Sequence, residues 1–179
     1  SWFYQKNELG FNYRLTDISA SLGLSQLNSL DSFIAKRYKI ADRYFQELDI
    51  ENLLLPFQSA NGKSSFHLFI IRATASKGPM SHKNLFERLR TYGISVNLHY
   101  IPIYKHPYYK EIGFNELHYP EAELYYSEAI SIPIFPAMTY EEQTKVINTI
   151  KEINLEQKTE GSKIKYKDGF QDLFWKWTI

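Results

Sequence analysis

Apolar residues recur at spacings of three and four before residue 50, the period of a helix with one covered side. Thr16 is positioned as an N-cap, and Ile18, Ala20, Leu22, Gly23, Leu27, Leu30 and Ile34 follow as a stripe. The small residues Ala20 and Gly23 suit close helix packing. Phe33, Arg37, Ile40, Ala41, Tyr44 and Leu48 continue the pattern, as one long helix or two in series. After turn-forming residues at Pro56 and Asn61-Gly62, the run SSFHLFIIRAT is aromatic, β-branched and apolar at neighbouring positions, which predicts a strand covered on both faces. Ser81 then opens a helix carrying Leu85, Phe86, Leu89 and Tyr92, and Gly93 closes it as a left-handed cap.

A different period follows. In ISVNLHYI, residues 94 to 101, Ile94, Val96, Leu98 and Tyr100 alternate with Ser95, Asn97, His99 and Ile101, so a strand is expected with the first set on the core and the second on an open face. The run AISIPIF predicts another strand, and Pro133 predicts that it lies at a sheet edge. Thr139 and Glu142 form a capping box for a helix whose buried stripe is Val146, Ile147, Ile150 and Ile153. Residues 154–179 are Lys-rich without a helical stripe, end in a burst of Phe and Trp, and stay unassigned. The order of elements predicts an α/β fold of the α+β kind, a small sheet with packed helices after a helical lead-in. Three segments are expected: 1–48 as a helical lead-in, 49–153 as a small domain, and 154–179 as a tail.

With 179 residues, 44% apolar and 16% aromatic, the chain can build a packed core and is not of the disordered class. Twenty-one Lys and Arg against 20 Asp and Glu leave a net charge of +1, so no global field favours nucleic acid or an acidic membrane, and any anion site is local. The absence of cysteine excludes disulfides, thiolate nucleophiles and cysteine-ligated metals. No apolar run has membrane-spanning length, and the cytoplasm is the expected compartment. The start at Ser1-Trp2 without methionine reads as a fragment or a processed product.

Candidate chemistry is confined to a few residues. Asn12 and Arg14 lie just ahead of a predicted helix N-terminus, where free N–H groups and the helix dipole favour an anion such as phosphate; taken alone, the commoner reading is a turn former and a surface cation. His99 lies beside aromatics and prolines in HYIPIYKHPYY, as a pocket-lining or a structural residue. Arg37 interrupts an apolar stripe, either to recognise an ion or to snorkel at a helix edge, the commoner case. His67 reads as structural, the tyrosines at 108, 109, 125 and 126 as packing, and the carboxylates at 121, 123, 141 and 142 as solvated helix faces. His99, His106 and His118 have no metal-ligand spacing, so no metal site is expected.

In order along the chain, GFNYRLTDISASLGLSQLNSLDSFIAKR, SSFHLFIIR, YGISVNLHYIPIYKHPYYKEIGF and YPEAELYYSEAISIPIFPAMTYEEQTKVINTIKEI closely resemble the C-terminal part of the DegT family of pyridoxal-phosphate sugar aminotransferases, from about Leu9 to Ile153. Within the family the wording is most similar to the branch that aminates UDP-sugars for pseudaminic acid. The resemblance implies a fold type I transferase, with residues 1–48 as the end of the large domain and bridging helices and 49–153 as the C-terminal small domain. It implies a homodimer with a shared active site, in which Asn12 donates to the cofactor phosphate and Arg14 to the nucleotide-sugar substrate of the neighbouring subunit. Arg37, His99 and Tyr100 match substrate-contacting positions, and glutamate is the implied amino donor. Tyr104 stands where the family often has histidine.

The resemblance also implies a catalytic lysine that carries pyridoxal phosphate covalently, a few residues before a Gly-Glu-Gly-Gly segment. No two glycines are adjacent in this chain, so the expectation is that no catalytic residue lies in it and that it is inactive alone. A non-catalytic binding module derived from the same scaffold is the alternative, and aggregation through an orphaned interface is a third outcome.

Overall fold

A computed structural model describes the backbone of residues 13–114 and 118–174 and the side chains up to residue 159. The chain divides into two units, Ser1–Phe33 and Ile34–Ile179. The first contains α1, Asp17–Leu27, whose N-cap Thr16 accepts the Ser19 N–H at 3.2 Å, as its sequence context predicts. No residue of α1 is buried. The helical pattern is two helices in series, since the chain turns at Asn28-Ser29 before α2, Leu30–Glu47.

The second unit is built on a four-stranded antiparallel sheet in the order β1-β2-β4-β3, with β1 at Leu53–Leu54, β2 at Phe69–Ala73, β3 at Asn97–Leu98 and β4 at Ala129–Ile132. Phe69 faces Ile132 and Ile71 faces Ile130, so these four share the core side of the sheet. That side meets α2 through Tyr44, whose ring centroid lies 5.0 Å from that of Phe69, and α6, Tyr140–Phe174, through the buried stripe Val146, Ile147, Ile150 and Ile153. α3, His82–Thr91, adds Leu85 and Leu89 to the same core. α5, Pro120–Glu128, packs near the opposite side of β2, where Arg72 bonds Glu128 at 2.9 Å. Between β3 and α5 the chain runs through short turns, including the three-residue α4, Pro107–Tyr109.

The predicted caps form with full geometry. Thr139 N–H donates to Glu142 Oε2 at 2.8 Å and Glu142 N–H to Thr139 Oγ1 at 3.1 Å. Gly93, at φ +72, allows Ile94 N–H to reach Leu89 O and Gly93 N–H to reach Arg90 O, which closes α3.

Four strand expectations are corrected. Pro133 does not mark an edge: β4 pairs with β2 and β3, and the proline follows its last residue, where no ladder N–H is required. The strand expected over 64–74 begins at Phe69, because buried Phe66 adopts φ +47, a left-handed conformation that strands exclude. β2 is also not fully covered on both faces, since Ile70 and Arg72 are half-buried. Only Asn97 and Leu98 of the expected strand 94–101 pair with β4, because Ile94 is taken up by the cap of α3.

Residues 154–157, unassigned from sequence, continue α6 and are anchored. Gln157 accepts the Met80 N–H at 3.2 Å, and Glu156 pairs with Arg88 of α3, with Nη2 at 2.8 Å. A Cβ at Gly78 would have to displace the Gln157 amide, and its φ of +84 itself disfavours a side chain. No helix among the described residues is long and apolar enough to cross a membrane.

Arg37 is the polar tie between helix and sheet. Its Nη1 donates to the carbonyls of Phe66 at 2.9 Å, His67 at 3.1 Å and Ile134 at 2.9 Å. Arg37→Leu keeps most of the stem but leaves these acceptors without their donor, and we expect a loss of about 1–3 kcal/mol in urea unfolding. An unchanged midpoint would show that solvent replaces the guanidinium at no cost.

Candidate functional site

The residues expected to carry function fall in separate places. Asn12 lies outside the described residues. Arg14 is exposed in the segment before Thr16. The helix end beside it is already partly satisfied, because Thr16 caps Ser19 N–H and Asp17 contributes negative charge to the first turn. The exposed Arg14 guanidinium lies two residues before that cap.

His99 departs from its predicted orientation. The alternation that buries Ile94 and Val96 ends with β3, after which His99 turns inward and Tyr100 outward. His99 is 6% exposed whereas Tyr100 is 75% exposed, the reverse of the faces assigned from the alternation. The two rings pack edge to face, with centroids 4.7 Å apart. His99 Nε2 is buried without a hydrogen-bond partner among the described residues. Burial pushes the imidazole below its usual 6.5, so the ring is neutral at pH 7, with one nitrogen able to accept and the other to donate. Such a nitrogen is a group in want of a partner.

Arg37 is neither a snorkelling side chain nor open to solvent on Nη1, which the three backbone carbonyls occupy. Tyr104, at the position where the family often has histidine, donates its hydroxyl to Glu123 Oε1 at 3.1 Å. Glu123 is not the solvated carboxylate expected from sequence, since Lys105 Nζ and His118 Nδ1 also reach it, at 2.7 and 2.9 Å. Glu142 likewise serves the α6 cap. Sequence reasoning missed the Glu123 cluster because its members are spread over twenty residues with no periodic signature, and only the first-turn position of Glu123 on a Pro-initiated helix hinted at a special role.

Five open clefts lie on the described residues, of about 240 to 500 Å³, and none of these five is lined by Arg14, Arg37, His99 or Tyr100. The largest is an apolar groove between Leu54, Phe57, Ile70 and Tyr125, with Arg72 at its rim. Asn12, the residue expected at the phosphate of pyridoxal phosphate, lies outside the described residues, and none of these five clefts brings the expected site residues together. No group of three His, Asp or Glu side chains among them is placed to hold a metal ion.

Comparison with known proteins places the chain in a family. Residues 2–151 match the DegT/DnrJ/EryC1/StrS aminotransferase family. The chain is 33% identical over 158 residues to the spore coat polysaccharide biosynthesis protein SpsC of Bacillus subtilis, covering 86% of this chain and 40% of SpsC. Its fold is similar to that of PseC from Helicobacter pylori, an aminotransferase involved in the biosynthesis of pseudoaminic acid, with TM-score 0.74 and 28% identity, over 86% of this chain and 42% of PseC. It is also similar to the PMP form of Spr1654 from Streptococcus pneumoniae, described as a sugar aminotransferase, with TM-score 0.77 and 28% identity, over 90% of this chain and 41% of Spr1654. The chain spans about 40% of the length of these relatives.

The unpaired His99 nitrogen yields a pH prediction. A folded-state pKa below the unfolded value makes the unfolded chain bind more protons, so the stability associated with neutral His99 is present above about 6.5 and is lost as pH falls through the folded value. Urea midpoints measured from pH 7.5 to 5 should fall with acidification, and His99→Gln should flatten that slope. A slope unchanged by His99→Gln would assign the dependence to other groups. With its fold, its antiparallel sheet and residues 2–151 matching throughout, this chain belongs to the DegT/DnrJ/EryC1/StrS aminotransferase family.

Proposed function

We propose that the chain is the C-terminal portion of a cytoplasmic, homodimeric, pyridoxal-phosphate-dependent enzyme that transfers an amino group from glutamate to a nucleotide-linked keto sugar, in the synthesis of amino sugars for surface polysaccharide. The observation that carries this reading is the continuous family match over residues 2–151. Names and bound states among the relatives support it: polysaccharide biosynthesis for SpsC, pseudoaminic acid for PseC, and PLP and PMP forms for Spr1654.

In this reading the cofactor, when bound, carries the amino group and withdraws electrons from the reacting carbon. The chain's own residues bind and orient. Asn12 donates to the cofactor phosphate and Arg14 to the diphosphate of the nucleotide sugar in the neighbouring subunit's site, where paired donors on anionic oxygens give both attraction and direction. The exposed position of Arg14 ahead of α1 suits such a reach. Tyr100 offers an exposed hydroxyl and ring to the sugar, and neutral His99 packs behind it, edge to face with its ring. Arg37, a substrate-contacting position by resemblance, holds the carbonyls of residues 66, 67 and 134 through Nη1. The lysine that binds the cofactor covalently belongs to the part of the enzyme upstream of this chain.

The test is made on the complete enzyme with a UDP-linked 4-keto sugar and glutamate, with release of 2-oxoglutarate as the readout. Arg14→Ala should raise KM for the sugar about tenfold or more, as expected for a lost charge-assisted contact to phosphate. Asn12→Ala should weaken retention of pyridoxal phosphate during gel filtration. This chain alone, mixed with the cofactor, should give no absorption that borohydride can trap. Absence of transamination by the complete enzyme, or wild-type KM in Arg14→Ala, would reject the reading in favour of a binding module.

A further inference from the structure

The segment 99–105 that carries His99 and Tyr100 is tied at both ends to one continuous piece of chain. At its start, β3 pairs with β4 through Asn97 opposite Ser131 and Leu98 opposite Ile130. At its end, Tyr104 and Lys105 bond the Glu123 carboxylate at 3.1 and 2.7 Å. Glu123 lies in the first turn of α5, and α5 runs without interruption into β4, from Glu128 to Ala129. His118, just before α5, adds the third contact to the same carboxylate at 2.9 Å.

The chemistry of the tie is specific. A carboxylate has acceptor positions for several donors, and here one oxygen serves Tyr104 and His118 while the other serves Lys105. The ammonium of Lys105, followed by the His118 and Tyr104 donors, holds the Glu123 carboxyl down at about 2, so it stays ionised throughout the physiological range. The N-terminal turn of α5 also favours negative charge there. The ring of Tyr104 also packs against that of Tyr119, with centroids 5.3 Å apart.

We propose that Glu123 is a positioning residue for nucleotide-sugar binding, acting by clamping the 99–105 segment so that Tyr100 and His99 are held ready for the sugar; this rests on the assignment of those two residues to the substrate pocket. A segment fixed at one end only must be ordered when substrate binds, and that ordering is subtracted from affinity. Chemistry at the cofactor belongs to other groups. Loss of the clamp therefore weakens substrate binding while leaving turnover at saturation intact.

The complete enzyme tests this with two independent readouts. For Glu123→Ala, KM for the nucleotide sugar should rise about tenfold with kcat within about twofold, the pattern of lost ground-state binding. Lys105→Met and Tyr104→Phe, which each remove one arm at the surface, should raise KM about threefold, and KM for glutamate should not change. Glu121→Gln, an equal change of charge on an exposed residue in the same helical turn, should leave KM unaltered. Hydrogen exchange of Glu123→Ala should quicken over residues 99–105 and stay unchanged in β2 and β4. An unchanged KM, a parallel loss of kcat, an equal effect of Glu121→Gln, or unaltered exchange over 99–105 would each overturn the proposal. If the unaltered enzyme fails to aminate the sugar, the functional reading fails and the role of Glu123 toward the sugar falls with it, whereas normal amination with wild-type kinetics in Glu123→Ala rejects the clamp alone.

Discussion

The packing of α2 against the chain leaving β4 is the constraint on which the second unit depends. β4 ends at Ile132, and the next two carbonyls, Pro133 and Ile134, have no ladder partner. A carbonyl buried without a donor is expensive, so these groups must be satisfied from elsewhere. α2 supplies both donors: Tyr44 bonds Pro133 O at 2.8 Å and Arg37 bonds Ile134 O at 2.9 Å. The two residues are seven apart and share one side of the helix. Burial pushes the Tyr44 hydroxyl above its ordinary range, which keeps it protonated and able to donate.

That junction positions the rest. By also holding the carbonyls of Phe66 and His67, Arg37 stabilises a left-handed aromatic residue whose ring packs against Tyr38 and Phe45. The strain of φ +47 at Phe66 is thus offset by a fixed hydrogen bond and by burial of the ring. β2 can begin only after that turn, which sets its pairing with β4 from Phe69 onward. β3 takes the other side of β4, and the 99–105 segment leaves from there. The segment bearing His99 and Tyr100 is therefore placed relative to α2 through a short series of hydrogen-bonded steps.

What the sequence made legible was local. Capping at Thr16, Thr139 and Glu142, the Gly93 cap and the buried stripe of α6 all depend on neighbours within about four residues, and each forms as predicted. What escaped was set by distant partners. Pro133 suggested an edge because proline cannot enter a ladder, yet the chain stops pairing one residue earlier. The alternation at 94–100 assigned His99 to the open face, but alternation holds only while a strand is paired, and pairing ends at Leu98. β1 is two residues long and gave no periodic signal. Of the candidate site, the exposed Arg14 was legible from its place before an N-cap, whereas the carbonyl ties of Arg37 and the gathering of donors on Glu123 required contacts across roughly 20 to 100 residues of chain.

α1 shows the same limit from the other side. Its apolar residues follow helical spacing, which predicts burial, yet Ile18 and Leu22 are 85% and 62% exposed and nothing lies within 4 Å of the Cβ position at Gly23. Leu24 and Leu27 point away from the Ile18–Leu22 side, so apolar surface is present around much of the helix. A helix apolar on several sides is one built to be enclosed. Periodicity reports that a surface expects cover and is silent on what provides it. In the shared-site dimer proposed above, cover over α1 would also restrain Arg14, three residues ahead of its first turn.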